Sequence, residues 1–444
     1  MRIETIDREE KIAEFIDALR QGARERERRE GPEISNAVLR ILQDVRRRGD
    51  AALIEYTKAF DGCDVSEVGL EVSRAEAAEL AGKVSQEVRE ALELAAERIR
   101  QYHRLQAAGL TGNWAFCEGG LEVESTTVPI SKVGVYVPGG RASYPSTVLM
   151  TVVPARIAGV DEVILCTPPS NGASLLPELA AAAEVVGVDR IFRVGGAQAI
   201  AAMAYGTESI PAVDIVVGPG NVYVTVAKRL VFGEVGIDSL AGPSELAMVL
   251  GERCDLEAAA VDLLTQAEHG PGGVTVAIVP SLSVAEQLRK AVQENLERFP
   301  KDGLRETLEA GGAIAVCPDL QVAAKLVDWM APEHLQIDLG SIPESREFSL
   351  AVRNAGAVFV GAATPAVYGD YIAGPSHVLP TGGSARFASA LGVHTFLLVR
   401  NRITATGDRI DPSVARAAVT IARTEGLQCH ERAVAYRMSG QQDN

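Results

Sequence analysis

Histidines that stand close to a carboxylate or an amide are the residues whose types and spacing best suit chemistry in this chain. Imidazole and oxygen donors without thiolate suit Zn²⁺ or Mn²⁺, and imidazole can also move a proton near neutral pH. The chain of 444 residues has only six histidines. Four of them occur in motifs of this kind: Gln266-Ala-Glu-His269, Glu333-His334, the loop from Asp370 to His377, and Glu425-Gly-Leu-Gln-Cys-His430.

Gln266 and His269 are three residues apart, so on a helix they share a face and can converge on one cation. A histidine that merely ends a helix before a Gly-Pro pair is the simpler alternative. Glu333 and His334 follow Pro332, which stops the preceding helix. This pair could divide general-base work and water activation, or it could only cap the helix end. Read alone, these two motifs leave the choice between a site and ordinary packing open.

The loop between Asp370 and His377 is rich in glycine, proline and small polar residues, and neither a helical nor a strand period fits it. Loops on a rigid α/β scaffold often carry binding groups, so this one could hold a metal or move a proton. Cys429 beside His430 suggests a thiolate ligand, but the side chains of neighbouring residues diverge. We therefore do not expect Cys429 to bind a metal.

Three glycine-rich turns, at 137–140, 194–198 and 218–221, follow predicted strands and precede predicted helices. That is the place where an open α/β sheet binds ligands, with helix N-termini facing anions. The chain has neither Gly-x-Gly-x-x-Gly nor a Walker A sequence, so the turns alone are weak evidence for a nucleotide. The polar residues at or beside these strand ends are Tyr136, Gln198 and Asn221.

Strands and helices alternate from Ser131 to about residue 390, which predicts βαβ units and parallel sheets. The strand runs are almost uninterrupted hydrophobics, as is typical of strands buried on both faces. We predict an α/β fold with two open parallel-sheet domains of incomplete Rossmann type and small helical segments at both ends. The predicted divisions are a helical segment at 1–30, a larger discontinuous domain at 31–131 and 242–390, a second α/β domain at 132–241, and a helical segment at 391–444. The N-terminal helices are expected to pack on the sheet of the larger domain.

Composition narrows the class of protein. The chain is 47% hydrophobic and 23% charged, which is normal for a globular protein with a sizeable core. Its net charge of −16 argues against nucleic acid and anionic membrane surfaces as partners. We find no secretory signal, no apolar run long enough to cross a membrane and no Cys-x-x-Cys, so we expect a cytoplasmic protein without membrane or disulfide framework.

Together the motifs resemble those of the histidinol dehydrogenase family, from about residue 30 to about residue 435. The resemblance rests on segments that occur in the family's order: Val-Pro-Gly-Gly-Arg-Ala-Ser-Tyr-Pro-Ser, Gly-Pro-Gly-Asn-Val-Tyr-Val, Ala-Gly-Pro-Ser-Glu, Gln-Ala-Glu-His-Gly, Ala-Pro-Glu-His-Leu and Gly-Pro-Ser-His-Val-Leu-Pro-Thr. It implies one zinc ion per subunit. The implied zinc ligands are Gln266, His269, Asp370 and His430.

The resemblance also implies roles for the other motif residues. Glu333 and His334 would be the catalytic acid–base pair. The NAD contacts would be Tyr136, Gln198 and Asn221, which makes 132–241 the NAD-binding domain. In the family the C-terminal segment completes the other subunit's site, so part of each site would act in trans within an obligate homodimer. The implied substrate contacts are Ser244, Gln266, His269, His334, Asp370, His377, Glu425 and His430.

The implied reaction is oxidation of L-histidinol to L-histidine through L-histidinal with two NAD, the last step of histidine biosynthesis. A neutral His334 would take the hydroxyl proton, Glu333 would activate water, and His377 would stabilise developing charge on oxygen. Two alternatives stay open. One is an NAD- and zinc-dependent dehydrogenase of another polar alcohol, such as a sulfonated propanediol; the other is a zinc-assisted hydrolase that needs no nucleotide.

Overall fold

A computed structural model describes residues 1–110, 112–139, 143–170, 174–270, 272–407 and 410–439, with the side chains of residues 20–29 left aside. Gly140 and the two residues after it, which belong to the first glycine-rich segment, therefore lie outside the described residues. Within the described part of the chain, none of the helices combines the length and the apolar character that a membrane crossing needs.

The strands, in chain order, are β1 (Arg2–Thr5), β2 (Glu71–Val72), β3 (Trp114–Glu118), β4 (Leu121–Pro129), β5 (Lys132–Tyr136), β6 (Glu162–Thr167), β7 (Arg190–Arg193), β8 (Ile215–Val217), β9 (Gly236–Ile237), β10 (Glu245–Leu250), β11 (Val274–Val279), β12 (Gly312–Val316), β13 (His334–Asp338), β14 (Ala357–Val360) and β15 (Leu397–Ala405).

The helices are α1 (Glu10–Arg48), α2 (Asp50–Asp61), α3 (Arg74–Ala81), α4 (Gln86–Leu110), α5 (Pro145–Ala158), α6 (Pro177–Val186), α7 (Gly196–Tyr205), α8 (Val222–Val231), α9 (Leu256–Ala267), α10 (Leu282–Arg298), α11 (Leu304–Gly311), α12 (Leu320–Met330), α13 (Ile342–Ala351), α14 (Val367–Tyr371), α15 (Pro412–Thr424) and α16 (Gln428–Met438). Short 3₁₀ turns occur at Ser384–Arg386 and Val393–Phe396.

The strands form three sheets. Sheet I has the order β2-β7-β6-β5-β8-β9 and is parallel except for the antiparallel β2 at its edge. Sheet II has the order β1-β12-β11-β10-β13-β14 and is parallel throughout. Sheet III is antiparallel, with the order β15-β4-β3. The predicted α/β class with two open parallel sheets is confirmed.

Both parallel sheets are covered on both faces, as their hydrophobic strands predict. In β10, Leu246 and Met248 belong to the core that includes α9 and α10, whereas Ala247 and Val249 belong to the core that includes α1 and α12. Successive residues of a strand face opposite sides of the sheet, so a strand without polar residues needs a core on each side.

The N-terminal part differs from the expected arrangement in two ways. Residues 2–5 form β1, which pairs with β12, so the segment at 1–30 is not purely helical. Helices α2 and α4 pack on sheet I and not on sheet II, because Leu53, Leu92 and Ile99 lie in the cores of sheet I. Apolar periodicity predicts that this part of the chain is helical, but it carries no information about which sheet the helices cover.

Helix α1 links the cores of the two sheets. Its 39 residues span roughly 58 Å at 1.5 Å per residue. Near its start, Ile12 and Phe15 pack in a core of sheet II; near its end, Val38 and Val45 pack in a core of sheet I. One helix therefore belongs to both halves of the molecule.

The C-terminal segment was expected to be helical from 391, and this is wrong between 397 and 405. Those residues form β15, which pairs along its whole length with β4. Helices α15 and α16 follow as a hairpin, and the Asp411 N–H group donates to the carbonyl oxygen of Gly119 in the β3–β4 turn at 2.9 Å. We call β3, β4, β15, α15 and α16 the C-terminal arm.

The core predicts a stability difference between two leucines. Leu165 is fully buried in β6 at the centre of sheet I, and Leu165→Ala should lower the free energy of unfolding by about 2–5 kcal/mol because it leaves a cavity. Leu350 is 83% exposed, and Leu350→Ala should change it by no more than about 0.5 kcal/mol. Denaturant unfolding of both variants checks this, and equal effects would contradict the assigned core.

Candidate active site

Glu333 and His334 lie at the amino end of β13 and not at the helix terminus that the sequence suggested. Helix α12 ends at Met330, and Ala331 then adopts a left-handed conformation with φ 46°. The chain turns there into β13, which begins at His334. The carbonyl oxygen of Glu333 accepts the N–H of Ala357 at 2.9 Å, which fixes the backbone of the pair against β14.

The pairing of β10 with β13 brings the start of β10 to Glu333. Leu246 lies opposite His334 in the parallel register. The carboxylate oxygen Oε2 of Glu333 therefore accepts hydrogen bonds from the hydroxyl of Ser244 at 2.5 Å and from the N–H of Glu245 at 3.0 Å. These two bonds hold a buried carboxylate in one position at the amino edge of sheet II.

His334 lies between two carboxylates. Its Nδ1 atom is 3.6 Å from Oε2 of Glu333, and its Nε2 atom is 3.6 Å from Oδ1 of Asp370. The side chain is almost completely buried. Burial lowers the pKa of the ring, but the carboxylates of Asp370 and Glu333 favour the charged form more strongly, so the pKa is raised above its usual value.

Asp370 and His377 are joined through the backbone of the loop that separates them. The Nδ1 atom of His377 is 2.8 Å from the carbonyl oxygen of Asp370. A carbonyl oxygen can only accept, so Nδ1 carries the hydrogen and a neutral His377 has Nε2 free to accept. Burial lowers the pKa of His377, which favours this neutral form. Nε2 lies 3.3 Å from the Thr147 hydroxyl, which can donate to it.

The side chain of Asp370 is a charged group among histidines. Burial raises the pKa of its carboxyl, but His334, His377 and His269 together lower it below the usual value. Asp370 is therefore held in the ionised form that a metal ligand needs.

Gln266 and His269 come from the end of α9. Gln266 is 6% exposed, its Oε1 is 3.5 Å from the Ser244 hydroxyl, and its Nε2 has no hydrogen-bond partner among the described residues. His269 is exposed and follows α9 by two residues. A buried amide that is only partly satisfied is unusual and is typical of a group that completes its bonds with a ligand.

Glu425 and His430 do not join these residues within one chain. Both lie in the α15–α16 hairpin and are exposed. In the described residues, no hydrogen bond or ion pair connects either side chain to Glu333, His334 or Asp370. Nor does any group of three or more histidine, cysteine, aspartate or glutamate side chains in that part of the chain come together to hold a metal.

The donor types of three of the implied ligands nevertheless suit zinc. Asp370 supplies an ionised oxygen, His269 an imidazole, and Gln266 an amide oxygen. This set of donor types fits zinc, and the fourth implied ligand, His430, lies in the α15–α16 hairpin.

The predicted NAD contacts lie at the carboxyl ends of the strands of sheet I, whereas Glu333 and His334 lie at the amino end of a strand of sheet II. Tyr136 ends β5, and its hydroxyl accepts the N–H of Gly196 at 3.1 Å where α7 begins. Gln198 is buried in α7, and its Oε1 has no partner among the described residues. Asn221 caps α8 by accepting the N–H groups of the second and third residues of that helix.

Two of the glycines in these turns have a packing role. A Cβ atom at Gly139 would lie 2.5 Å from Cγ of Pro168, and a Cβ atom at Gly195 would lie 2.5 Å from Cβ of the same proline. Close contact with the loop after β6 therefore requires glycine at both positions, whatever ligand is bound. The unsatisfied oxygen of Gln198 is the better sign that this edge of sheet I receives a polar ligand.

The sequence missed three residues near the site. Thr147 reaches His377 from the first turn of α5, which joins sheet I to the loop beside sheet II. Glu245 is buried, and its carboxylate accepts the N–H of Gly382 at 3.1 Å. Gln336 donates to Asp262 at 2.5 Å behind His334. All three hydrogen bonds join residues that are far apart in the chain, so no local sequence pattern predicts them.

Comparison with known proteins agrees with the geometry. A sequence profile of histidinol dehydrogenases matches residues 24–438. The chain is 44% identical over 403 residues to a histidinol dehydrogenase of Synechococcus sp., covering 90% of this chain and 91% of that one. It is 42% identical to the histidinol dehydrogenase of Aquifex aeolicus, covering 98% and 99% of the two chains.

A solved structure gives the same result for the whole fold. The crystal structure of histidinol dehydrogenase from Elizabethkingia anophelis superposes with a TM-score of 0.89, at 29% sequence identity, over 100% of this chain and 99% of that one. The profile match and the relatives each cover nine-tenths of the chain or more, and the profile match extends to the end of α16. The chain belongs to the histidinol dehydrogenase family.

Proposed function

We propose that this chain oxidises L-histidinol to L-histidine through L-histidinal, with two NAD and one zinc ion per subunit, as the last step of histidine biosynthesis in the cytoplasm. The observation that carries the proposal is the buried Glu333–His334 pair, which Ser244 and Glu245 fix beside Asp370 in a chain of this family. Zinc would hold the substrate's imidazole and amine, and NAD would accept the hydride.

His334 is the proposed base for the alcohol. It must be neutral to take the hydroxyl proton as hydride leaves the neighbouring carbon. The charge of Asp370 opposes this because it raises the pKa of His334. A cation bound by Asp370 would cancel much of that effect, so the metal-loaded site favours the form of His334 that catalysis needs.

Glu333 is the proposed activator of water for the second oxidation. One of its oxygens accepts hydrogen bonds from the Ser244 hydroxyl and the Glu245 N–H, which fix the direction of the carboxylate. The other oxygen is then the one available to a water molecule. Ser244, which the resemblance implies as a substrate contact, thus also positions Glu333.

The proposed role of His377 changes with its tautomer. Its Nδ1–H group is used by the Asp370 carbonyl oxygen, so the neutral ring can only accept through Nε2. An acceptor at this position suits a substrate hydroxyl or ammonium group better than it suits an oxygen on which negative charge develops. We therefore propose that His377 orients the substrate by accepting at Nε2 a hydrogen bond from the substrate, in place of the one that the Thr147 hydroxyl can donate there.

A second copy of the chain is proposed to complete the site. Glu425 would attract the substrate ammonium group and His430 would be the fourth zinc ligand, both from the partner's C-terminal arm. The arm exposes large apolar side chains that a monomer would leave in water, including Val399 (69%), Ile403 (67%) and Ile421 (60%). Apolar groups of this kind are typical of surfaces that another chain covers.

His334→Ala should reduce NADH formation from L-histidinol by about 10²–10⁴-fold, because the base is lost. Zinc content should stay that of the unaltered protein, since His334 is not a proposed ligand. His394→Ala is the matched control, because His394 is exposed and outside the site, and it should be fully active. The absorbance of NADH measures the rate, and metal analysis measures the zinc content. Undiminished turnover by His334→Ala would remove it as the base.

Zinc binding and subunit sharing are tested with His430→Ala and Asp370→Ala. Each variant alone should lose zinc and activity, whereas Cys429→Ala, which alters the neighbouring exposed thiol, should retain both. A tagged heterodimer of a His334→Ala chain and a His430→Ala chain should regain about half the activity, because one of its two sites combines intact residues from both chains.

The heterodimer result separates the two arrangements of the site. If His430 acted within its own chain, every site of the heterodimer would carry a defect and no activity would return. Full zinc retention by both His430→Ala and Asp370→Ala would dismiss the proposed ligand set altogether.

A further inference from the structure

A buried ion pair lies beneath the glycine-rich turn at 218–221. Lys228 in α8 contacts Asp238, which directly follows β9, and the side chain of each is only 3% exposed. Neither residue belongs to the motifs that the sequence singled out, and neither touches Glu333 or His334 in the described part of the chain.

The pair binds both backbone groups of Gly218. The Nζ atom of Lys228 donates to the carbonyl oxygen of Gly218 at 2.9 Å, and Oδ2 of Asp238 accepts the Gly218 N–H at 2.7 Å. The other carboxylate oxygen of Asp238 accepts the N–H of Ser239 at 2.6 Å. The first residue of the turn is therefore fixed by two charged side chains at once.

The turn has little freedom to adjust. Gly218 has φ +110°, and a Cβ atom there would lie 2.1 Å from the carbonyl oxygen of Tyr136 at the end of β5. Only glycine fits this position. The turn therefore lies directly against Tyr136, one of the proposed cofactor contacts.

The start of α8 is already capped by its own chain. Asn221 Oδ1 accepts the N–H groups of Tyr223 and Val224. The backbone of the turn and the amide of Asn221 remain as the groups that can meet a ligand, and their position depends on Gly218.

We propose that Lys228 and Asp238 are positioning residues that hold the turn at 218–221 in the shape that binds the nucleotide. This rests on the proposed function, since it requires NAD at the carboxyl edge of sheet I. A buried ion pair seldom adds net stability, because desolvation of the two charges offsets their attraction. Its clear effect here is geometric, and a misplacement of about 1 Å in a binding turn can cost about 100-fold.

The test compares two ion pairs of the same sheet. In the double variant Lys228→Met/Asp238→Leu, NADH binding measured by fluorescence titration should weaken about 10- to 100-fold. Zinc content and the KM for L-histidinol should not change. Asp238→Asn, which keeps the shape and one acceptor, should weaken NADH binding in the same direction by less, and it serves if the double variant does not fold.

The control is the pair of Arg156 and Asp189 at the amino ends of the strands of sheet I, where Asp189 directly precedes β7. Asp189 likewise accepts from a cation, Arg156 at 2.5 Å, and from a backbone N–H, that of Val163 at 2.7 Å. Arg156→Met/Asp189→Leu should lower the melting temperature but leave NADH affinity unchanged.

The outcomes separate the two claims. Unchanged NADH affinity in both Lys228 and Asp238 variants, or an equal loss of NADH and histidinol binding, would overturn the positional role. Failure of the unaltered protein to bind NADH at all would instead overturn the proposed function, and this inference with it.

Discussion

The parallel pairing of β10 with β13 is the constraint on which the proposed active site depends. With Leu246 opposite His334, the residues just before the two strands become neighbours although they are about 90 positions apart in the chain. Ser244 and the Glu245 N–H then meet the carboxylate of Glu333. A slip of one residue would turn Glu333 and His334 to the opposite faces and destroy the site.

This constraint places the chemistry at an unusual edge. Open parallel sheets generally bind ligands beyond the carboxyl ends of their strands. The proposed NAD contacts follow that rule in sheet I, but Glu333, His334 and Ser244 lie at the amino ends of strands of sheet II. The Thr147–His377 contact shows how the two edges meet, because it joins the first turn of α5, after β5, to the loop beside Glu333. In the proposed arrangement, a substrate held beside sheet II would donate hydride to NAD held at sheet I.

Much of the fold could be predicted from the sequence, and the failures have physical causes. The expected alternation of strands and helices is observed between 132 and 330, because most segments there follow uniform hydrophobic runs and clear helical periods. The motif Glu333-His334 gave no sign of the buried strand β13, because its polar residues His334, Gln336 and Asp338 depart from the uninterrupted hydrophobic runs of the other buried strands. Gln336 is buried with a partner, since it donates to Asp262. β15 was taken for helix, and only its pairing with β4 makes it a strand.

The candidate site was predictable in its residue types but not in its geometry. Glu333, His334, Asp370 and His377 lie close together in the structure, and their roles stay predictions. The chain's membership of the family is shown by whole-length similarity. The tautomer of His377 and the engagement of Glu333 by Ser244 follow from contacts between distant segments. Sequence spacing cannot supply them, because the sheet register decides which segments meet.

The central claim is a four-electron oxidation at this site. Its most direct test is the number of NADH molecules that the zinc-loaded protein forms per L-histidinol when L-histidinol is limiting and NAD is in excess. A separate assay measures the rate of NAD reduction with a sulfonated propanediol in place of L-histidinol. The account predicts two NADH and one L-histidine for each L-histidinol, and far slower reduction of NAD by the diol. One NADH per histidinol, with the aldehyde accumulating, or faster reduction by the diol, would contradict it.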